Sequence, residues 1–392
     1  MWSGTGPDPT AVTNTTPNAV EVVRVGPEHL GALAEFYRQV WDPTATAQTV
    51  SAGRRQAAAA NPVTPGEPPP TWLVLRDGRA IGHVTTIPLL VSLRGAEHPA
   101  HWVKGLWVLP EFQRSAAGFL VLKEAVKALP AALALVHEPA ARRLFEALGF
   151  ADFGNLPNAL RVLRARSLFE RLDFDQLGLG GVPGWIRLAA RAAAPLAPVL
   201  GPLGDAALAG WVGLRSGSRR AMSVEVSTTL DTAGVEAVWQ AVRSQLVAAP
   251  VRNAAALALR YGGDPDYRFV HVRSRDDLVG LGIIRRPSEA GDPRLRGIRV
   301  ATLADLLYPP SQAGAGLAVL WGAERAARME RADVLLCSAS APPVQALLKR
   351  RGHVRVPANL HVLGRFADGP SVPTSIADWW FTRGDSGGDG SF

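Results

Sequence analysis

Residues 21–25 alternate polar and apolar positions at the two-residue period of a strand, and residues 27–40 then carry Leu30, Leu33, Ala34 and Tyr37 at helical spacing. Both periods fail between Asp42 and Thr71, where Pro43, Pro62, Pro65 and the Pro68-Pro69-Pro70 triplet predict a long loop. A loop of that length inside a domain is functional or disordered. Two apolar runs, 72–75 and 81–90, flank Asp77-Gly78 and predict a hairpin, since a tight turn needs residues that accept positive φ. A strand over 102–109, a helix over 115–129, a buried strand over 132–136 and a helix over 139–148 stopped by Gly149 complete the series.

The same order then returns. Residues 223–227 predict a strand and 231–246 an amphipathic helix capped by Asp231 or Thr232. Runs 268–272 and 278–285 predict a second hairpin across Arg275-Asp276-Asp277, followed by strand 297–303, helix 313–329, strand 333–338 and helix 343–351 ending at Gly352. The halves match element for element, which predicts a tandem duplication of one α/β domain with a mixed α+β sheet. The expected boundaries are a flexible leader over 1–20, a first domain over 21–165, a Pro-, Ala- and Arg-rich helical linker over 166–220, a second domain over 221–366 and a C-terminal tail over 367–392, mobile from Thr382 onward. Trp379-Trp380 is expected to pack that tail onto a domain.

Composition narrows the function classes. The 392 residues are 47% hydrophobic and 19% charged, enough for two real cores. The single cysteine, Cys337, excludes an intrachain disulfide and a cysteine-based metal site. Of 42 basic residues only four are lysines (Lys104, Lys123, Lys127 and Lys349), a bias that goes with the abundant Ala, Gly and Pro. The net charge of +8 therefore suits any anionic partner rather than nucleic acid in particular, and no nucleic-acid module or stacking array accompanies it. Asp378, Asp385 and Asp389 lack the spacing of a cation cage, so no metal is expected.

The leader has no basic start followed by an apolar run, and the apolar stretch 192–214 is broken by Pro195, Pro198, Pro202 and four glycines. A cytoplasmic protein is expected. Within the linker, residues 183–220 carry Arg187, Arg191, Arg215, Arg219 and Arg220 among apolar residues. They read as a helical connector across both domains or as an anchor on an anionic membrane surface.

The chemistry concentrates between Trp107 and Gly118, where a predicted strand runs through a short polar turn into a helix of small residues. Such a turn presents backbone amides to an anion at a helix N-terminus. The pattern Val108-x-Pro110-x-x-Gln113-x-x-Ala116-x-Gly118, followed by the EPAARRLFEALGF run that ends in Leu148-Gly149-Phe150, resembles the acyl-CoA-binding core of the GNAT N-acyltransferase superfamily. The runs from Arg252 to Tyr267 and from Trp379 to Gly390 resemble motifs of two-domain GNAT-like proteins of polysaccharide-related settings.

The resemblance implies two tandem GNAT-like domains, the second degenerate. Acetyl-CoA or another acyl-CoA would lie against Val108, Gln113, Arg114, Ser115, Ala116, Ala117 and Gly118, with its thioester beside the 102–109 strand. The acceptor would be an amine on a small molecule or sugar, with the proline-rich 42–71 segment closing over it. The family's acid tyrosine and helix-opening asparagine fall on Phe145 and Glu138 here, so proton transfer must come from elsewhere. Among His83, His98, His101, His137, Glu111 and Glu138, the residues taken as catalytic are His101 and His137. The loop equivalent in the second half is Ser311-x-x-Gly314-x-Gly316, and its helix ends in Gly352-His353. The alternative is a catalytically inactive scaffold of the same fold, docked on a protein complex or a membrane surface.

Overall fold

A computed structural model describes residues 20–164, 222–289, 297–358, 360–367 and 371–387. The leader, the linker and its membrane reading lie outside the described residues. Contacts divide the chain into two compact units, residues 1–59, 66–86 and 104–128 forming the first and residues 60–65, 87–103 and 129–392 the second.

In the first unit, β1 (Val20–Arg24) runs antiparallel to β2 (Thr71–Arg76), which pairs antiparallel with the start of β3 (Arg79–Leu93). Asp77 and Gly78 both adopt positive φ, as the two-residue turn requires. Helix α1 (Leu30–Val40) buries Leu33, Ala34 and Phe36 against Leu73, Ala80 and Leu109. The expected loop contains a helix, α2 (Ala47–Ala59). Its prolines bracket an alanine-rich run instead of interrupting it, and Thr46 and Thr49 cap it reciprocally, the Thr49 amide donating to Thr46 Oγ1 at 3.1 Å and the Thr46 amide to Thr49 Oγ1 at 2.9 Å. The end of β4 (Ala96–Val108) and α3 (Ala117–Lys127) complete this unit.

In the second unit, His101–Val103 of β4 pair in parallel with Ala132–Ala134 of β5 (Ala131–Val136). Helix α4 (Pro139–Ala147) leads to β6 (Ala151–Asn155) and then β7 (Asn158–Val162). The second half supplies β8 (Met222–Ser227), α5 (Thr232–Arg243), β9 (Ala248–Pro250), α6 (Ala254–Tyr261), β10 (Tyr267–Ser274) and β11 (Asp277–Glu289). It continues through β12 (Arg299–Leu307), α7 (Ala313–Met329), β13 (Val334–Ser338), α8 (Pro342–Arg350), β14 (Val354–Val356) and β15 (His361–Phe366).

The last strands are exchanged between the halves. Strand β7, expected in the first domain, lies between β13 and β14 in the seven-stranded sheet, while β15, expected in the second, lies between β5 and β6. Only Leu156-Pro157 separates β6 from β7. Proline fixes φ negative and Leu156 does not take positive φ, so the tight hairpin that would return the chain onto β6 is not available.

The tail, expected to be mobile from Thr382, is core as far as its described residues reach. Trp379, Trp380 and Phe381 are buried, Trp379 stacking on Phe381 at 4.6 Å between ring centres. The Trp380 indole donates to Leu306 O at 3.0 Å. The two motifs singled out in the second half meet here. Arg252, fully buried, donates from Nε to Asp305 at 2.8 Å, from Nη2 to Asp385 at 2.6 Å and from Nη1 to Pro250 O at 2.9 Å, and Arg260 donates to Asp385 at 2.9 Å. Burial opposes the charge on Arg252, but Asp305 and Asp385 outweigh it and raise its pKa. Gly384 is glycine because a side chain there would strike the Tyr261 hydroxyl. Asp385 is thus a structural counter-ion.

A second buried cluster joins β7 to α7 and α8. Arg351 grips Glu324 with two hydrogen bonds, 3.0 and 2.6 Å, and Arg161 of β7 donates to Gly352 O at 3.2 Å. His353 is buried beside them. Burial, reinforced by Arg161 and Arg351, lowers its pKa to about 3.

Two outcomes follow from these clusters. Arg252→Ala leaves the buried Asp305 and Asp385 to share Arg260 and should cost about 3–5 kcal/mol in urea unfolding; an unmoved midpoint would contradict the clasp. The unfolded chain protonates His353 near its ordinary value, whereas the folded chain resists until about 3. The unfolded state therefore binds more protons in that window, and stability falls as pH drops through it, by about 2 kcal/mol at pH 5. His353→Phe, which copies Phe150 of the first half, should remove this part of the slope when unfolding midpoints are compared at pH 7 and pH 5.

Candidate functional site

Strand β4 ends at Val108 and the chain turns through Leu109, buried, into a single 3-10 turn over Pro110–Phe112. Ser115 closes the turn. Its amide donates to Phe112 O at 2.9 Å, its hydroxyl donates to the same oxygen at 2.7 Å, and that hydroxyl accepts from the Ala117 amide at 3.2 Å. The Gln113 side chain reaches back to Val108 O at 3.4 Å. Among the described residues, nothing accepts from the amides of Arg114, Ala116, Gly118 and Phe119. Residues 113–116 are exposed. Four open donors at the positive end of α3, with Arg114 beside them, form a cradle for a polyanion.

Ala116 stands where the family's loop usually has glycine. Its φ of −74° and ψ of 0° are ordinary right-handed values, so alanine fits without strain. At Gly118 a Cβ would lie 3.4 Å from Val108 Cγ2, which marks a close approach of α3 to β4.

The equivalent turn in the second half is closed. Helix α7 begins at Ala313, directly after Gln312, and Gln312 O accepts from the amides of Ala315 at 2.9 Å and Gly316 at 3.4 Å. A side chain at Gly316 would collide with Tyr308 and Leu347. That glycine therefore answers to packing, and the Ala315 and Gly316 amides are spent inside the turn. A recess of about 560 Å³ nearby is lined by Asp231, Arg273 and Gln312 among others, and its Asp231–Arg273 charges are already paired at 2.5 Å.

Beyond the β5 pairing, β4 takes a positive φ of +62° at Gly105. Gly105 O faces Nδ1 of His83 on β3 at 2.8 Å. A carbonyl only accepts, so Nδ1 carries the hydrogen and Nε2 the lone pair. Tyr37 Oη lies 3.4 Å from that Nε2. The imidazole stacks on Phe36 at 5.6 Å and meets the edges of Tyr37 and Trp41 at 5.5 and 5.2 Å. Trp41 is 47% exposed and forms the open wall of this box. Burial lowers the His83 pKa to about 4, so the ring is neutral at physiological pH.

The histidines expected to be catalytic are placed differently. His101 is buried in the paired part of β4, opposite Ala132, and His137 stands exposed after β5 with Nε2 3.6 Å from Glu138. Neither enters the hydrogen bonds of the 108–118 turn. Phe145 is buried edge-on to Phe150 at 4.9 Å, an apolar pair. Glu111 pairs with Arg79 at 3.0 Å. His83 is among the candidates the sequence offers; its signal is a single titratable side chain in the mostly apolar run after the Asp77-Gly78 turn. Among the described residues, no group of three His, Cys, Asp or Glu could hold a metal, and no helix is long and apolar enough to cross a membrane.

With this geometry in place, similarity to known proteins becomes informative. Residues 33–150 match the acetyltransferase (GNAT) family. The mixed α/β fold, with its two mixed sheets, is shared with solved N-acyltransferase structures. A conserved Enterococcus faecalis V583 protein described as a probable N-acyltransferase aligns with a TM-score of 0.54 at 11% identity, covering 89% of this chain and 73% of its own. A GCN5-related N-acetyltransferase from Anabaena variabilis ATCC 29413 aligns at 0.54 with 10% identity and the same coverage. One from Kribbella flavida aligns at 0.50 with 13% identity, covering 90% of this chain and 72% of its own. No curated protein matches the sequence.

Proposed function

We propose that the protein transfers an acyl group from acetyl-CoA or another acyl-CoA to an amine on a small molecule or sugar. The observation that carries this reading is the set of four open amides at the start of α3, lying in the segment that matches the family. The residues fit the cofactor: Ala116 needs no glycine conformation, and the exposed 113–116 turn leaves room for a pyrophosphate. Bound acyl-CoA supplies an activated thioester. The amides of Arg114, Ala116, Gly118 and Phe119 hold its phosphates, while Val108 and Gln113 set the edge of the cradle. The segment of β4 from Gly105 to Val108 offers backbone donors to a carbonyl lying along it.

The acceptor nitrogen loses a proton as it attacks, and the departing sulfur gains one. His137, exposed beside Glu138, can exchange protons with solvent; His101, buried in the sheet, is placed to support the strand. In this reading the duplicated halves span 21–165 and 221–366 with exchanged final strands, and the second half supports the first. A second reading, an inactive scaffold docked on a protein complex or membrane surface, draws on Phe145 in place of a proton donor and on the closed second turn.

Ala116→Asp separates these readings. A carboxylate in the first turn of α3 favours the helix by about 0.3–1 kcal/mol, yet it repels a pyrophosphate on the same amides. Calorimetric titration should show wild-type protein binding acetyl-CoA and CoA, and the variant losing that affinity with its melting temperature held or raised. No heat from the wild type at millimolar CoA would remove the cofactor reading and leave the scaffold.

A further inference from the structure

We infer that His83 is a positioning residue for acyl transfer: its Nδ1–H holds the Gly105 carbonyl on the α1 face of the sheet and thereby aims the Leu106 amide at the thioester carbonyl on the α3 face. The inference rests on the acyl-CoA reading above and deepens it.

The faces are fixed by packing. His83 pairs with Leu73 across the β2–β3 ladder, and opposed residues project to one side. Leu73 lies in the cluster packed by Leu33 and Phe36 of α1, so the imidazole is on that side too. Val108 is on the other side, against Gly118 of α3. In a planar trans peptide the carbonyl and the amide hydrogen point in opposite directions. Drawing Gly105 O toward His83, at 2.8 Å, turns the hydrogen of Leu106 N toward the face of α3 and its open amides.

Glycine is required at the turning point. Its φ is +62°, and a Cβ would lie 3.3 Å from the imidazole. Without the histidine the Gly105 carbonyl loses this donor, and the rings of Phe36, Tyr37 and Trp41 that hold the imidazole in place pack around it. The Tyr37 hydroxyl, near Nε2, favours the tautomer that leaves the hydrogen on Nδ1. Burial keeps the ring neutral, so it acts as a fixed donor and takes no proton from the acceptor.

The test reads the carbonyl directly and needs no acceptor. Acetyl-CoA labelled with carbon-13 at the acetyl carbonyl is titrated into the full-length protein, and its resonance is compared with that of the free thioester. Wild type should deshield the carbonyl. His83→Phe, which keeps the stack and loses the donor, should bind acetyl-CoA with unchanged affinity and lose the shift. His83→Asn, whose amide nitrogen sits near the position of Nδ1, should restore it. Deshielding retained in His83→Phe, or absent in wild type that binds acetyl-CoA, would overturn the inference. Nitrogen-15 spectra of the wild-type histidines serve if the phenylalanine variant does not fold: hydrogen on Nδ1 of His83 is expected, and hydrogen on Nε2 would overturn the inference. A wild type that binds no acetyl-CoA removes the cofactor reading itself, and the titration shows this separately.

Discussion

A strand in the interior of a sheet must pair on both edges, and in this chain that obligation is met across the duplication. Strand β7 is gripped by β13 and β14, and β15 by β5 and β6. Withdrawing either would leave two rows of amides and carbonyls without partners inside a sheet. Neither half can therefore complete its own core, and the duplication behaves as one cooperative structure. The origin is local. Leu156-Pro157 cannot make the tight turn back onto β6, so the chain crosses to the other sheet.

The buried charges sit at the elements this exchange brings in. Arg161 rides on β7 and donates beside the Arg351–Glu324 pair, and Asp385 arrives on the tail to meet Arg252 and Arg260. Such pairs add little net stability over well-packed apolar residues, but a mispaired one is costly. They act as register marks. Sliding β7 by one residue would turn Arg161 to the opposite face and leave Glu324 short of a neighbour. The same logic holds the tail, where Gly384 admits no side chain beside Tyr261.

Much of this was legible in advance, for physical reasons that differ by element. The hairpin at Asp77-Gly78, the helix of α7 and the polar strand-to-helix turn after β4 depend on local turn chemistry and periodicity, which a sequence displays. Helix α2 was hidden because prolines were weighted over the alanine run between them. The exchange was invisible because the pattern of polar and apolar positions along β7 and β15 does not record which neighbour a strand takes. The tail read as solvated from its Gly and Asp content, yet its charge is neutralised by arginines more than a hundred residues away. His83 gave only a weak sign, since a single titratable residue in a mostly apolar strand becomes meaningful once Gly105 is known to lie beside it.

The two copies of the strand–turn–helix unit show how small a change alters which amides stay open. In the first, the 3-10 turn at Pro110 and the Ser115 hydroxyl precede the helix, and the amides of Arg114, Ala116, Gly118 and Phe119 remain open. In the second, the helix starts at Ala313 and Gln312 O takes the amides of Ala315 and Gly316, while Tyr308 fills the space against Gly316. Glycine content alone would rank the second turn as the better cradle. What decides is where the first helical hydrogen bond forms, at the Ala116 carbonyl in one copy and at the Gln312 carbonyl, just before α7, in the other.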